Sequence, residues 1–142
     1  MTATDLSDVI DAIAQLALFA DLSRPQLEAA AHIFEEDVFT AGQRVLRKGF
    51  SGAGFYLIIE GEADVQLDEQ QVARLSRGDF FGEISILLGS SPTADIVART
   101  ALRCLVLPAS DLQGFLEAHP KVMYRMLQAE ASRLHRSLQW RN

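Results

Sequence analysis

Gly82 and Glu83 stand side by side at the start of a short helical segment, with Ser85, Ser90, Ser91 and Thr93 close behind. These residue types at this spacing can do one kind of chemistry. A helix start presents N–H groups without intrahelical partners and a partial positive charge, so the Gly82 region can hold an anion. The Glu83 carboxylate beside it can accept hydrogen bonds from sugar hydroxyls. An anion holder next to a sugar holder supplies the two halves of a nucleotide pocket. Gly82, Glu83, Ile84, Ser85, Ser91 and Thr93 are the candidate ligand-binding residues. Plainer roles compete: an exposed glutamate serving the helix dipole at 83, and turn-filling hydroxyls at 90, 91 and 93.

The segment 78–100 that holds these residues reads as a strand edge, a glycine turn, a short helix, a second glycine turn and a return strand. Short strand patterns surround it at 38–40, 45–47, 55–60, 63–67, 72–75, 96–99 and 103–107. Frequent glycines punctuate them, which indicates a β-barrel or jelly roll. Glu60-Gly61-Glu62 predicts a tight turn and Asp68-Glu69-Gln70 a hairpin tip. Helical periodicity flanks the barrel. Leu6, Val9, Ile10, Ile13, Leu16 and Ala17 make one face over 5–18, and Leu27, Ala30, Ala31 and Phe34 another over 24–34. Ser23 is placed to cap the second helix, Pro25 falls in its first turn, and Phe19 anchors the link. Ser110 is the expected cap of a helix through Leu116, and Pro120 opens a longer helix to Trp140. The expected layout is one domain over 1–142: helices 5–35, barrel 36–107 and C-terminal helices 109–140.

Composition narrows the function. Apolar residues make up 49%, enough for a core. The net charge of −6 argues against a nucleic acid or an anionic membrane as direct partner. No apolar run approaches the roughly 18 residues of a membrane span, and Met1–Asp5 lacks the marks of a signal peptide, so the expected location is cytoplasmic. Cys104 lies in an apolar run and reads as a buried core thiol. His32, His119 and His135 all fall outside the strand region, so a barrel metal site of the imidazole kind has no ligands. No nucleophile–base pair stands out, and the expectation is no enzyme, no metal and no cofactor.

The motifs Phe-Thr-Ala-Gly-Gln at 39–43, Gly49, Phe-Tyr-Leu-Ile-Ile-Glu-Gly at 55–61 and Gly-Asp-Phe-Phe-Gly-Glu at 78–83 resemble the cyclic nucleotide-binding domain family. The likeness runs from about Phe19 to Leu138. It implies an eight-stranded β jelly roll with N-terminal and C-terminal helices, a mostly β fold. It also implies that 82–96 is a phosphate-binding cassette: Gly82 and its neighbours offer amides to a cyclic phosphate, and Glu83 takes the ribose 2′-hydroxyl. Ile84, Leu87 and Leu88 then carry ligand occupancy to the C-terminal helix, Thr93 meets the purine, and a residue such as Trp140 caps the base. The implied ligand is cAMP or cGMP. One part departs from the family pattern. The family's Arg nine positions after the Glu is Pro92 here, and a one-residue slip gives Thr93. Arg74, Arg77 and Arg99 are the nearest cations and read as solvated surface charges.

Two functions follow from these residues. One is a non-catalytic sensor or regulatory module with weakened or altered nucleotide binding, acting on a separate effector protein. The other is a degenerate module that binds no nucleotide and serves as a docking or oligomerisation domain. Met123, Leu127, Leu134 and Leu138 form a seam on the last helix that suits a homodimer. A catabolite activator with its own DNA-reading helices does not fit, because only four residues follow Leu138 in this sequence.

Overall fold

The computed structural model describes residues 3–50 and 54–139. They form two compact units. One is Ala30–Leu112, and the other joins the described residues up to Ala29 with those from Gln113 onward.

The first unit contains two four-stranded antiparallel sheets. One runs β1 (Glu35–Phe39), β8 (Leu102–Pro108), β3 (Gly54–Glu60), β6 (Phe80–Phe81). The other runs β2 (Arg44–Leu46), β7 (Asp95–Ala98), β4 (Ala63–Leu67), β5 (Gln70–Leu75). Side chains alternate across a strand, so one set from each sheet fills the interior. Leu46, Ile58, Phe81, Ile96, Leu102 and Cys104 form that core, and the Tyr56 ring lies flat on Phe81 with centroids 4.8 Å apart. The central strands β3 and β8 are buried on both faces. Phe55, Leu57, Leu105 and Leu107 point away from the core cluster and are fully buried too, which is why these strands read as near-continuous apolar runs. Phe34 and Phe80 close on Phe55 at 6.3 and 5.6 Å.

Tight turns set the register. Gly61 has φ +95°, and a Cβ there would lie 2.1 Å from the Ala101 carbonyl oxygen. The β4–β5 hairpin turns on Asp68 and Glu69, both left-handed, and pairs Leu67 with Gln70. Two positive φ angles in a two-residue loop match the twist of the flanking strands, at some cost in non-glycine residues.

The second unit is helical. It holds α1 (Ala3–Ala14), a 3-10 turn at Ala17–Phe19, the start of α2 (Arg24–Ile33), most of α4 (Ala109–Ala118) and all of α5 (Pro120–Gln139). Ser23 caps α2 as its sequence suggests: Ser23 Oγ accepts from the Gln26 N–H at 3.4 Å, and Gln26 Oε1 accepts from the Ser23 N–H at 2.8 Å. Phe19 meets Phe115 edge-on at 6.5 Å, and Val122 and Met126 of α5 are buried. Arg125 donates to Asp21 at 2.8 Å, and that bond holds the Asp21 carboxyl below its ordinary range.

Several boundaries differ from the sequence expectation; most strand ends shift by a residue or two, and β1 runs Glu35–Phe39 rather than 38–40. The first helix ends at Ala14 rather than 18, because Gln15 and Leu16 turn their N–H groups to carbonyls three residues back. The second ends at Ile33, since Glu35 already pairs with Val106 in β1. Gln70 belongs to β5 rather than to the hairpin tip. Ser110 is inside α4, which begins at Ala109, so it is not the cap. Trp140 lies outside the described residues.

Two outcomes are expected. Gly61→Ala should lower the unfolding free energy by about 2 kcal/mol or more, read as a shift in denaturant midpoint at constant slope, because its Cβ meets backbone at a strained φ. The Cys104 thiol is pushed up to about 12 by burial and by the charge of Asp37. A thiol reagent at pH 8 should therefore leave the folded protein untouched and modify it stoichiometrically once it is unfolded.

Candidate functional site

The site grows from the end of β6. Leu57 pairs with Phe80 and Tyr56 with Phe81, which delivers the chain to Gly82 beside the first residue of β3. Gly82 adopts φ +91°, and a Cβ there would sit 2.1 Å from the Gly54 carbonyl oxygen. Only glycine fits both the angle and the approach. The turn then enters α3 (Glu83–Leu88), with Gly82 as its N-cap residue.

Glu83 is 1% exposed, and its Oε2 atom is enclosed. The plain expectation of an exposed glutamate at a helix start is thus not met. A buried carboxylate is costly unless polar groups face it. The positive end of α3 is one such compensation. Ser85 is also buried, and its hydroxyl donates to the Gly82 carbonyl at 3.1 Å, stiffening the turn. The helix closes on Gly89 at φ +64°. The Ser90 N–H donates to the Ser85 carbonyl at 2.9 Å and the Gly89 N–H to Ile86 at 3.3 Å. Ile84, Leu87 and Leu88 form an exposed apolar outer face, with Leu88 at 73% exposure.

The structure thus brings Gly82, Glu83, Ile84 and Ser85 together around the first turn of α3. Ser91 and Thr93 stand exposed on the return towards β7, after α3 in the chain. Pro92 between them is buried, and its carbonyl accepts from the Gly49 N–H at 2.9 Å. One turn further on, the Lys48 N–H donates to Asp95 Oδ1 at 2.7 Å. Residues 48–49 therefore strap the return segment in place. Sequence reasoning missed this strap; Gly49 was the only hint, since long-range partners of a loop leave no local pattern.

No Lys or Arg occurs from Gly78 to Ala98. Nearby cations are engaged on the sheet: Arg74 with Asp64 at 3.3 Å, Arg99 with Glu62 at 4.0 Å, and Arg44 with Asp95 at 3.9 Å. The Tyr56 ring passes 3.5 Å from the position of a Cβ on Gly82, and burial, then Asp37, pushes its phenol above the usual range. The base of this site is therefore apolar and aromatic.

Comparison with known proteins places the family. The profile described as cyclic nucleotide-binding domain matches residues 36–119. A cAMP-dependent protein kinase regulatory subunit of Colletotrichum orbiculare is 32% identical over 117 residues, covering 81% of this chain and 30% of that protein. A cGMP-dependent protein kinase of Caenorhabditis briggsae is 31% identical over 99 residues, covering 66% and 13%. The chain spans less than a third of the length of these curated relatives. Among solved structures, the catabolite activator protein of Thermus thermophilus superposes with a TM-score of 0.74 at 26% identity, covering 84% of this chain and 59% of that one. With the profile matching more than half of its length, this chain belongs to the cyclic nucleotide-binding domain family.

Proposed function

We propose that the chain is a non-catalytic regulatory module that binds a cyclic nucleotide, with affinity weakened or preference altered relative to its family. The observation that carries this reading is the buried Glu83 carboxylate at the start of α3, directly after a left-handed Gly82 that no other residue can replace. In this reading Gly82 lends amides to the phosphate, Glu83 accepts from the ribose, and Ile84, Ser85, Ser91 and Thr93 line the rest. Relatives named for cAMP and cGMP put these two ligands first. The missing cation sets the expected affinity. A hydrogen bond to a charged group is worth ~1.5–3 kcal/mol, so its loss weakens binding roughly ten- to a hundredfold. A ligand of lower charge also suits the site, since Glu83 repels an anion that lacks a countercharge.

The module acts on a separate effector protein in the cytoplasm, and a homodimer through α5 completes its partners. Among the described residues no helix is long and apolar enough to cross a membrane. The exposed apolar face of α3 favours the second reading, a degenerate module that keeps the fold, binds no nucleotide and works by docking.

Calorimetric titration with cAMP, cGMP and cyclic di-GMP separates the two. Thr93 is exposed and Pro92 buried, so Thr93→Arg is the variant that can present a guanidinium to a ligand. Wild type is expected to bind cAMP or cGMP weakly, Thr93→Arg roughly ten- to a hundredfold more tightly, and Glu83→Ala not at all. Silence from wild type with binding by Thr93→Arg means an intact but disarmed pocket and supports the docking reading. Silence from both leaves the fold without the ligand.

A further inference from the structure

The site is equipped for a sugar and poorly equipped for a phosphate. From Gly78 to Ala98 the chain carries Asp79, Glu83 and Asp95 and neither Lys nor Arg. Cations on the neighbouring strands and loops already face carboxylates: Arg44 lies 3.9 Å from Asp95, Lys48 3.9 Å from Asp68, and Arg74 3.3 Å from Asp64. Pro92 has no N–H to donate, and its carbonyl is held by Gly49. The Ser85 hydroxyl donates to the Gly82 carbonyl at 3.1 Å, so its proton is directed into the turn. The helix α3 is six residues long, and few peptide dipoles add up at its start. Beside Gly82 lies the Tyr56 ring, itself flat on Phe81.

Glu83 is 1% exposed, in surroundings that strengthen any charge interaction. A phosphate brought beside it meets a like charge, and the cassette supplies no cation to offset the repulsion. A hydroxyl meets the opposite condition, because its hydrogen bond to a carboxylate is charge-assisted. The chemistry of ribose then separates two ligand classes. In a 3′,5′-cyclic nucleotide the phosphate occupies both the 3′ and the 5′ oxygens, and the 2′-hydroxyl is the one sugar donor left. A nucleoside keeps its 2′- and 3′-hydroxyls on adjacent carbons. Such a diol can donate twice to one carboxylate, and the molecule carries no charge.

We propose that this site prefers a nucleoside to the corresponding 3′,5′-cyclic phosphate, with the Glu83 carboxylate accepting from the 2′,3′-diol. The inference rests on the nucleotide-pocket reading above and names the ligand class that fits that pocket best. It turns the missing cation from a defect into a source of selectivity: the same vacancy that weakens an anion leaves a neutral sugar untouched.

Calorimetric titration of the full chain with adenosine, guanosine, cAMP and cGMP tests this, followed by the 2′-deoxy and 3′-deoxy forms of the nucleoside that binds. One nucleoside is expected to bind at least about tenfold more tightly than its cyclic phosphate, and loss of either hydroxyl to weaken it roughly tenfold. Its affinity should not change with salt, since a neutral ligand has no charge to screen. Glu83→Gln removes the charge and keeps the shape. It should weaken the nucleoside more than the cyclic phosphate and so narrow the preference. The deoxy analogues test the same contact without altering the protein. A cyclic phosphate that binds as tightly as its nucleoside overturns the inference and leaves the cyclic-nucleotide reading standing. A nucleoside that binds equally well without its 3′-hydroxyl overturns the diol contact, and the inference with it. Silence from both classes into the millimolar range overturns the inference together with the cyclic-nucleotide reading.

Discussion

A backbone-to-backbone approach between Gly54 and Gly82 governs this molecule. The space where a side chain on residue 82 would begin is taken by the carbonyl of residue 54. The β6 ladder to β3 is only two residues long, so it cannot hold the following turn by itself. The absence of a side chain does that work. It lets α3 start hard against the sheet, and Glu83 is consequently carried into the protein instead of facing water. The burial of Ser85 and the Ser85–Gly82 hydrogen bond follow from the same placement.

Charge shows a second constraint. The barrel spends its cations on the sheets. Arg103 bridges Glu60 and Glu36 across three strands, which raises its own affinity for a proton. Arg44 faces a carboxylate on β7, Arg74 one on β4, and Arg99 one just before β4. These pairs are partly exposed and individually worth little, yet they orient the guanidinium groups along the strands. The cassette is left with backbone dipoles and one carboxylate.

Much of this was legible in the residues. Gly61, Gly82 and Gly89 marked the turns, near-continuous apolar runs marked β3 and β8, alternation marked β4, and Ser23 marked the start of α2. The helix start at Gly82-Glu83 was visible, but the depth of Glu83 was not, because burial depends on Gly54, nearly thirty positions away. Pro92 illustrates the same limit. In sequence it is a missing donor. In the fold it is a buried ring whose carbonyl fastens Gly49, so it has a structural task of its own. The 3-10 turn at Ala17–Phe19 was hidden within a helical apolar pattern; its tighter winding turns Ala17 out and Leu18 and Phe19 in, where the helical pattern had placed Ala17 inside.

The hairpin at Asp68 and Glu69 has a practical side. These are the only non-glycine residues with positive φ among those described, and they sit at a solvent-exposed tip, joined to the body by one long contact from Lys48 to Asp68. Chain inserted between them displaces little and relieves an uncomfortable backbone. The tip is thus a natural port for splicing in a fluorescent reporter or an affinity handle, on a strand that runs beside β7 and hence continues from the return arm of the cassette.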